Sequence, residues 1–384
     1  MKKMMLYAVS IALLCGMTSC GGQQDVPPAA GSKTGFALSF FKEVNKVSGQ
    51  NTNVVASPYS AGVALSMLAE GAMEETKVEL DNALNGCVFG KQALDGGESV
   101  VVKSANSMWI DSDFSVRNHY VNLLENDYNA LVETLRFSDP ATVKAINNWC
   151  AENTEGKIDE IVDRLTPGDV MMLVNALYFN APWEEKFDPA LTEKADFNGS
   201  LKVSKVDMMS RKGRYNYVEF QGFQMIELPY LNSPYSMFVV LPPEGADINA
   251  MIPYLNENIY DEAMNMLAPT QVMFKMPKAK METEMILNDV LGNMGVRTAF
   301  TAAADFKGIS EMGPLVLSQV KQKCYVDISE SGTEAAAVTS VMVRLTSVAP
   351  EVNLKTMIVN RPYMFFIADR ESSDVLFAGK IVNL

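Results

Sequence analysis

The chain has 384 residues, 48% hydrophobic and 20% charged, with 32 basic against 46 acidic side chains and a formal charge of −14. Length and apolar content suit one large domain with a sizeable core, and the acidic excess argues against nucleic acid and other polyanions as partners. A single histidine, His119, and five scattered cysteines give no zinc-site spacing, and the chain carries no nucleophile elbow, Gly-rich phosphate loop or internal repeat.

In chain order, the first nineteen residues stand apart. Lys2 and Lys3 precede an apolar run from Leu6 to Leu14 and then small residues up to Ser19, the pattern of an export signal and too short to span a bilayer. Met-Thr-Ser before Cys20 resembles the lipobox of bacterial lipoprotein signals, with Met17 where Leu is more usual; an ordinary secretory signal is the alternative. On the lipoprotein reading, residues 1–19 are removed and Cys20 carries acyl chains that tether the protein to a membrane. Residues 20–34, with Gly-Gly, Gln-Gln and Pro27-Pro28, then form a flexible spacer. Loss of Lys2 and Lys3 takes the formal charge to −16, 30 basic against 46 acidic. Cys87, Cys150 and Cys324 remain in the domain, and we expect them to be buried as small hydrophobes.

From residue 35 to 384 no linker interrupts the chain, and helical and strand patterns mix freely, which predicts a single α+β domain. FALSFFKEVNKVS places Phe36, Phe40, Val44 and Val47 on one helical face. In SPYSAGVALSMLAEG, Ser57 can cap a helix, Pro58 suits its first turn and Gly71 its end. His119, in SVRNHY, reads as a solvated helix residue, and Asp139-Pro140 opens a helix that turns Ile146, Trp149 and Cys150 inward. Val170 to Asn180 is almost wholly apolar, which suits a strand covered on both faces and therefore a large central sheet. QMIELPY, YSMFVVLP and QVMFKMPKAK are further strands with prolines at their ends. ILNDVLGNMG reads as a helix closed by glycine, and LVLSQVKQKCYVDIS as a long strand.

That strand runs into ISESGTEAAAVTSVMVRLTS, residues 328–347, a segment without charge between Glu334 and Arg344. As a strand, one face would present Thr333, Ala335, Ala337, Thr339, Val341 and Val343, and the other would carry all the charge. Gly332 supplies a pivot. A permanent strand and a helix nucleated at Glu334 are alternatives, but the stretch can also be an exposed continuation able to fold back beside its own strand.

Here the sequence resembles the serpin family. ESGTEAAAVT is close to the family's E-E-G-T-E-A-A-A-A-T, and NVVASPYSAGVALSMLAEGA, LVNALYFNAPWEEKFDP, IELPY with SMFVVLP, ADFKGIS, NRPYMFF and VLFAGKIVN match family segments in order over residues 35–384. The resemblance implies the serpin fold, with three β-sheets, eight or nine helices and an exposed reactive-centre loop. It implies a suicide-substrate inhibitor of serine proteases, not an enzyme, with no cofactor. A protease attacks the loop and is acylated, and the cut loop inserts into the central sheet, an established case of strand addition and stored strain.

The hinge would comprise Glu330, Gly332, Thr333, Glu334, Ala335, Ala336 and Ala337. Seventeen residues counted from Glu330 place the reactive bond at Thr346-Ser347, suited to elastase-like proteases with shallow pockets. Arg344 is the competing site, for trypsin-like enzymes. Ser57, Ser60 and Asn175 match a polar cluster beneath the opening sheet, and Trp183 the aromatic where the loop first enters. The sequence departs from the family at Gln322, commonly a histidine; an amide there can donate and accept, and so can bridge Ser57 and Asn175. The expected assembly is a monomer in covalent complex with its protease. The rival readings are a non-inhibitory binding module of the same fold, which would show bulky or charged residues on the inserting face, and an envelope hydrolase, which would need a catalytic apparatus.

Overall fold

The computed structural model describes residues 31–91, 94–166, 168–313, 315–333, 354–372 and 374–384. Among them are eight α-helices: α1 (Lys33–Ser48), α2 (Pro58–Gly71), α3 (Glu74–Ala83), α4 (Asn118–Tyr128), α5 (Pro140–Asn153), α6 (Ile248–Met251), α7 (Glu257–Met266) and α8 (Asn288–Asn293). None is long and apolar enough to cross a membrane.

Numbered along the chain, the strands form two hydrogen-bonded sets. The six-stranded set runs in the order β10 (Ala279–Ile286), β11 (Gln319–Ile328), β12 (Gly332–Thr333), β4 (Met171–Pro182), β2 (Val101–Asp111) and β3 (Ala130–Leu135), with β11 and β4 also paired directly. The nine-stranded set runs β1 (Val54–Ala56), β15 (Val375–Ile381), β14 (Tyr363–Asp369), β8 (Tyr235–Leu241), β7 (Phe223–Pro229), β6 (Val203–Phe220), β9 (Ala268–Pro277) and β13 (Lys355–Ile358), with β5 (Glu193–Asn198) on β6. The 18-residue β6 joins β7 at its C-terminal end and β5 at its start, so this set comprises two sheets and the fold has three.

The helix signals act where the residues put them. Ser57 Oγ accepts the amide of Ser60 at 3.1 Å with Pro58 in the first turn, and the Asp139 carboxylate accepts the amide of Ala141 at 2.9 Å. Phe36, Phe40 and Val44 are buried, whereas Val47 is 45% exposed, because the last turn of α1 projects past the core that covers the rest of that face. His119 is exposed on α4, and Cys87, Cys150 and Cys324 are free, buried thiols. Burial pushes the Cys150 and Cys324 thiols up to about 12.

β4 is the spine of the molecule. Met171, Leu173, Leu177 and Phe179 face the main core, shared with α2 and the nine-stranded set. Met172, Val174 and Ala176 face the opposite way, under Ile146 and Cys150 of α5 and under Ile158, Ile161 and Val162 of the segment that follows it. A strand covered on both faces is buried at every position, which is why Met171–Phe179 shows no alternation and is apolar but for Asn175. α5 and its trailing segment thus lie as a lid across the outer face of the six-stranded sheet.

Candidate functional site

β11 ends at Ile328, and the chain reverses through Ser329, Glu330 and Ser331, closed by the Ser329 amide donating to the Gly332 carbonyl at 2.9 Å. It returns as β12, antiparallel to both neighbours: Thr333 lies opposite Ile328 on one side and Ala181 on the other, with Gly332 opposite Pro182. Two residues thus wedge between strands that are parallel to each other lower down. At Gly332 a Cβ would stand 2.1 Å from the Ala181 carbonyl oxygen, so only glycine passes.

Side chains grip this turn from three directions. Thr333 is 1% exposed, and its hydroxyl shares a 2.7 Å hydrogen bond with the buried hydroxyl of Tyr230. The Tyr230 ring stacks on Trp183 with centroids 4.8 Å apart and planes at 13°. Trp183 donates its indole N–H to the Ser329 carbonyl at 2.9 Å and its backbone N–H to the Ser331 carbonyl at 3.0 Å. Glu330, at the tip, receives the Lys278 ammonium at 2.8 Å and the Thr192 hydroxyl at 2.9 Å. Burial pushes the Glu330 carboxyl up, but these donors outweigh it and hold its pKa below the usual 4.5.

Below β12, β4 and β11 part company among the described residues. β4 and β11 pair directly only from Met172 opposite Gln319 to Ala176 opposite Lys323. Between that ladder and β12, residues 177–180 of β4 pair only with β2, and residues 324–327 of β11 only with β10, among the described residues.

Beneath the ladder, on the core side, Gln322, Asn175 and Asn106 stand in one row across β11, β4 and β2. Gln322 clasps Ser57 alone, accepting its amide and donating to its carbonyl, each at 2.9 Å. The expected bridge from Gln322 to Asn175 is not formed: Asn175 donates instead to Asn106 Oδ1. The row is therefore split at the β4–β11 seam, since each amide finds a partner on its own side. The buried Asn175 Oδ1 and Ser60 Oγ are without a hydrogen-bond partner among the described residues.

A family model for serpins (serine protease inhibitors) matches residues 31–384. The chain belongs to the serpin family. It is 30% identical to an uncharacterized serpin-like protein of Thermococcus kodakarensis, covering 93% of this chain and 86% of that protein. It is 33% identical to Iripin-5 of the tick Ixodes ricinus over 86% of this chain and 89% of that one. Among solved structures, native Tengpin, a thermophilic serpin, superposes with a TM-score of 0.85 at 30% identity, covering 96% of both chains. A thyroxine-binding globulin complexed with thyroxine shares the fold at 24% identity and a TM-score of 0.81.

In this serpin, Glu330, Gly332, Thr333, Trp183, Ser57, Ser60, Asn175 and Gln322 gather along one seam, the first four at its mouth and the others beneath its closed part. Glu334, Ala335, Ala336, Ala337, Arg344, Thr346, Ser347 and Cys20 lie outside the described residues. Sequence reading missed Tyr230, Thr192 and Lys278, because they come from three connections remote in the chain and no pattern marks them. It also missed Lys321 and Lys323, two lysines two apart in a segment read only as a long strand, which the fold buries.

Proposed function

We propose that this serpin is an exported inhibitor of serine proteases that acts as a suicide substrate and not as an enzyme. Residues 1–19 are its signal, Cys20 its lipidated first residue, residues 20–34 its spacer, the last two of which already open α1, and 35–384 its inhibitory domain, working as a monomer without cofactor. The reactive bond is Thr346-Ser347, cut by elastase-like proteases, with Arg344 as a second site for trypsin-like ones. The observation that carries this reading is the seat of Gly332 and Thr333 between β4 and β11, directly above residues 177–180 and 324–327, which among the described residues do not pair with each other.

Extending that register places 334–337 opposite 180–177 of β4 and 327–324 of β11. The four open positions are therefore matched by Glu334, Ala335, Ala336 and Ala337, with the alanines small enough to slide past covered faces. Continued, the register brings Thr339 level with Gln322 and Asn175, whose free Oδ1 would accept its hydroxyl. With Gly332 and Thr333 already seated, insertion of the twelve residues 334–345 would carry an acylated protease about 40 Å. The competing binding-module reading expects bulky residues on the inserting face, which here carries Thr333, Ala335 and Ala337.

Melting curves before and after cleavage of the loop test this. About twelve new ladder bonds at ~1 kcal/mol each would raise the midpoint by on the order of 20 °C; an unchanged midpoint would mean that the cut loop stays outside.

A further inference from the structure

The long strand β6 changes partners along one edge. One edge is paired with β9 from Met208 to Tyr217. The other pairs with β5 up to Met208 and with β7 only from Tyr217 onward, so residues 209–216 have no strand partner on that edge among the described residues. β7 meanwhile continues along β8 as far as Pro229 opposite Ser236. The two strands therefore fork beyond Tyr217 and Ile226.

The connection that follows β4 closes the fork from one side. The Glu184 amide donates to the Pro229 carbonyl at 2.9 Å, and the Arg211 guanidinium donates to the Glu185 carbonyl. What stays open is a cavity of about 460 Å³, within the size range of small-molecule sites.

Its lining differs in sign between inside and outside. Glu227, 4% exposed, is the innermost charge. Its two oxygens accept from Asn216 Nδ2 at 2.7 Å and from Ser236 Oγ at 2.6 Å, while the Arg370 guanidinium stands off at 3.9 Å. A carboxylate accommodates about four donors, so Glu227 keeps acceptor capacity in reserve. Arg211 is already committed, donating to the Tyr215 hydroxyl at 2.6 Å with the Glu185 carboxylate 3.7 Å away. Arg214 is exposed at the rim, and among the described residues no carboxylate pairs with its guanidinium. Between these charges the walls are Trp183, Leu228, Pro229 and Pro269.

We infer that the fork between β6 and β7 is a binding site for a short free peptide, extended along the open edge of β6, with its α-ammonium group on Glu227 and its α-carboxylate on Arg214. An anion alone would meet the buried carboxylate, and a cation alone would leave Arg214 unused. Two or three extended residues span about 7–10 Å, enough to separate the two termini as the burial of Glu227 and the exposure of Arg214 require. An unpaired strand edge supplies main-chain donors and acceptors that are indifferent to side-chain identity, and the charged ends set the length and direction. Such binding draws on no insertion of the reactive loop and is independent of the inhibitory reading.

Calorimetric titration of the full chain in detergent with Ala-Leu-Ala bearing free termini tests this, with one site per chain expected. N-acetylation is expected to weaken binding by roughly ten-fold or more, and C-terminal amidation by roughly five-fold or more. Arg214→Ala should abolish the difference between the free acid and the amide while keeping that between the free and acetylated peptides, and Glu227→Gln should do the converse. Amide exchange locates the site: saturating Ala-Leu-Ala should slow exchange within residues 209–216 and leave residues 324–327 unchanged. Absence of binding at millimolar peptide, an affinity indifferent to both caps, equal binding of free leucine, or protection confined to other segments would overturn the inference. Should Glu227→Gln not fold, the exposed change Arg214→Ala, the capped peptides and the exchange pattern decide it.

Discussion

Thr333 occupies a place where size and polarity are both constrained, since it is 1% exposed and bonded to a buried tyrosine hydroxyl. An arginine there would bury an unpaired charge, which folded proteins avoid by expelling the group. We therefore expect Thr333→Arg to leave the loop cleavable but to lower the yield of covalent complex at least ten-fold, read from denaturing gels; an unchanged yield would mean that entry does not begin at this residue. Glu330 has the opposite character, an acid that the fold keeps ionised. Its folded pKa lies below the ordinary 4.5, so its contribution is fully present above that value and is lost as pH falls through the folded value. Acidification below pH 4.5 should loosen the turn, seen as faster amide exchange at Gly332 and Thr333, and Glu330→Gln should abolish that pH dependence.

At the scale of single elements, β4 and β12 show what local chemistry can and cannot announce. The unbroken apolar run of β4, the caps at Ser57 and Asp139 and the glycine before Thr333 were all legible, because each is a demand that one segment makes of its own residues. Gln322 was placed correctly in the row and on Ser57, but its expected second partner, Asn175, bonds elsewhere, since the register of β11 on β4 and the approach of the α2 cap decide which groups lie nearest. Tyr230 and Lys278 were invisible for the same reason: only the tertiary path brings them to Thr333 and Glu330. The vacant acceptor on Asn175 carries a further prediction. If Thr339 completes the row on insertion, Thr339→Val should lower the stability of the loop-cleaved form by about 1–3 kcal/mol while leaving the uncut form unchanged. Equal effects on both forms would place Thr339 elsewhere.

For the molecule as a whole, the arrangement is one of postponed pairing. Residues 177–180 and 324–327 leave sheet edges open toward each other among the described residues, directly beneath a two-residue strand that already has the right polarity to fill the space. On the proposed mechanism, a chain held in that state would persist through its barrier and not through its depth, and a protease that cut the loop would remove the tether that keeps it there. The most direct measurement mixes residues 31–384 with an elastase-like protease, and separately with trypsin, then resolves the products on a denaturing gel and weighs the released fragment. A covalent complex together with a fragment beginning at Ser347 and ending at Leu384 is the predicted result. Cleavage at that bond with no complex and a fully active protease would contradict it.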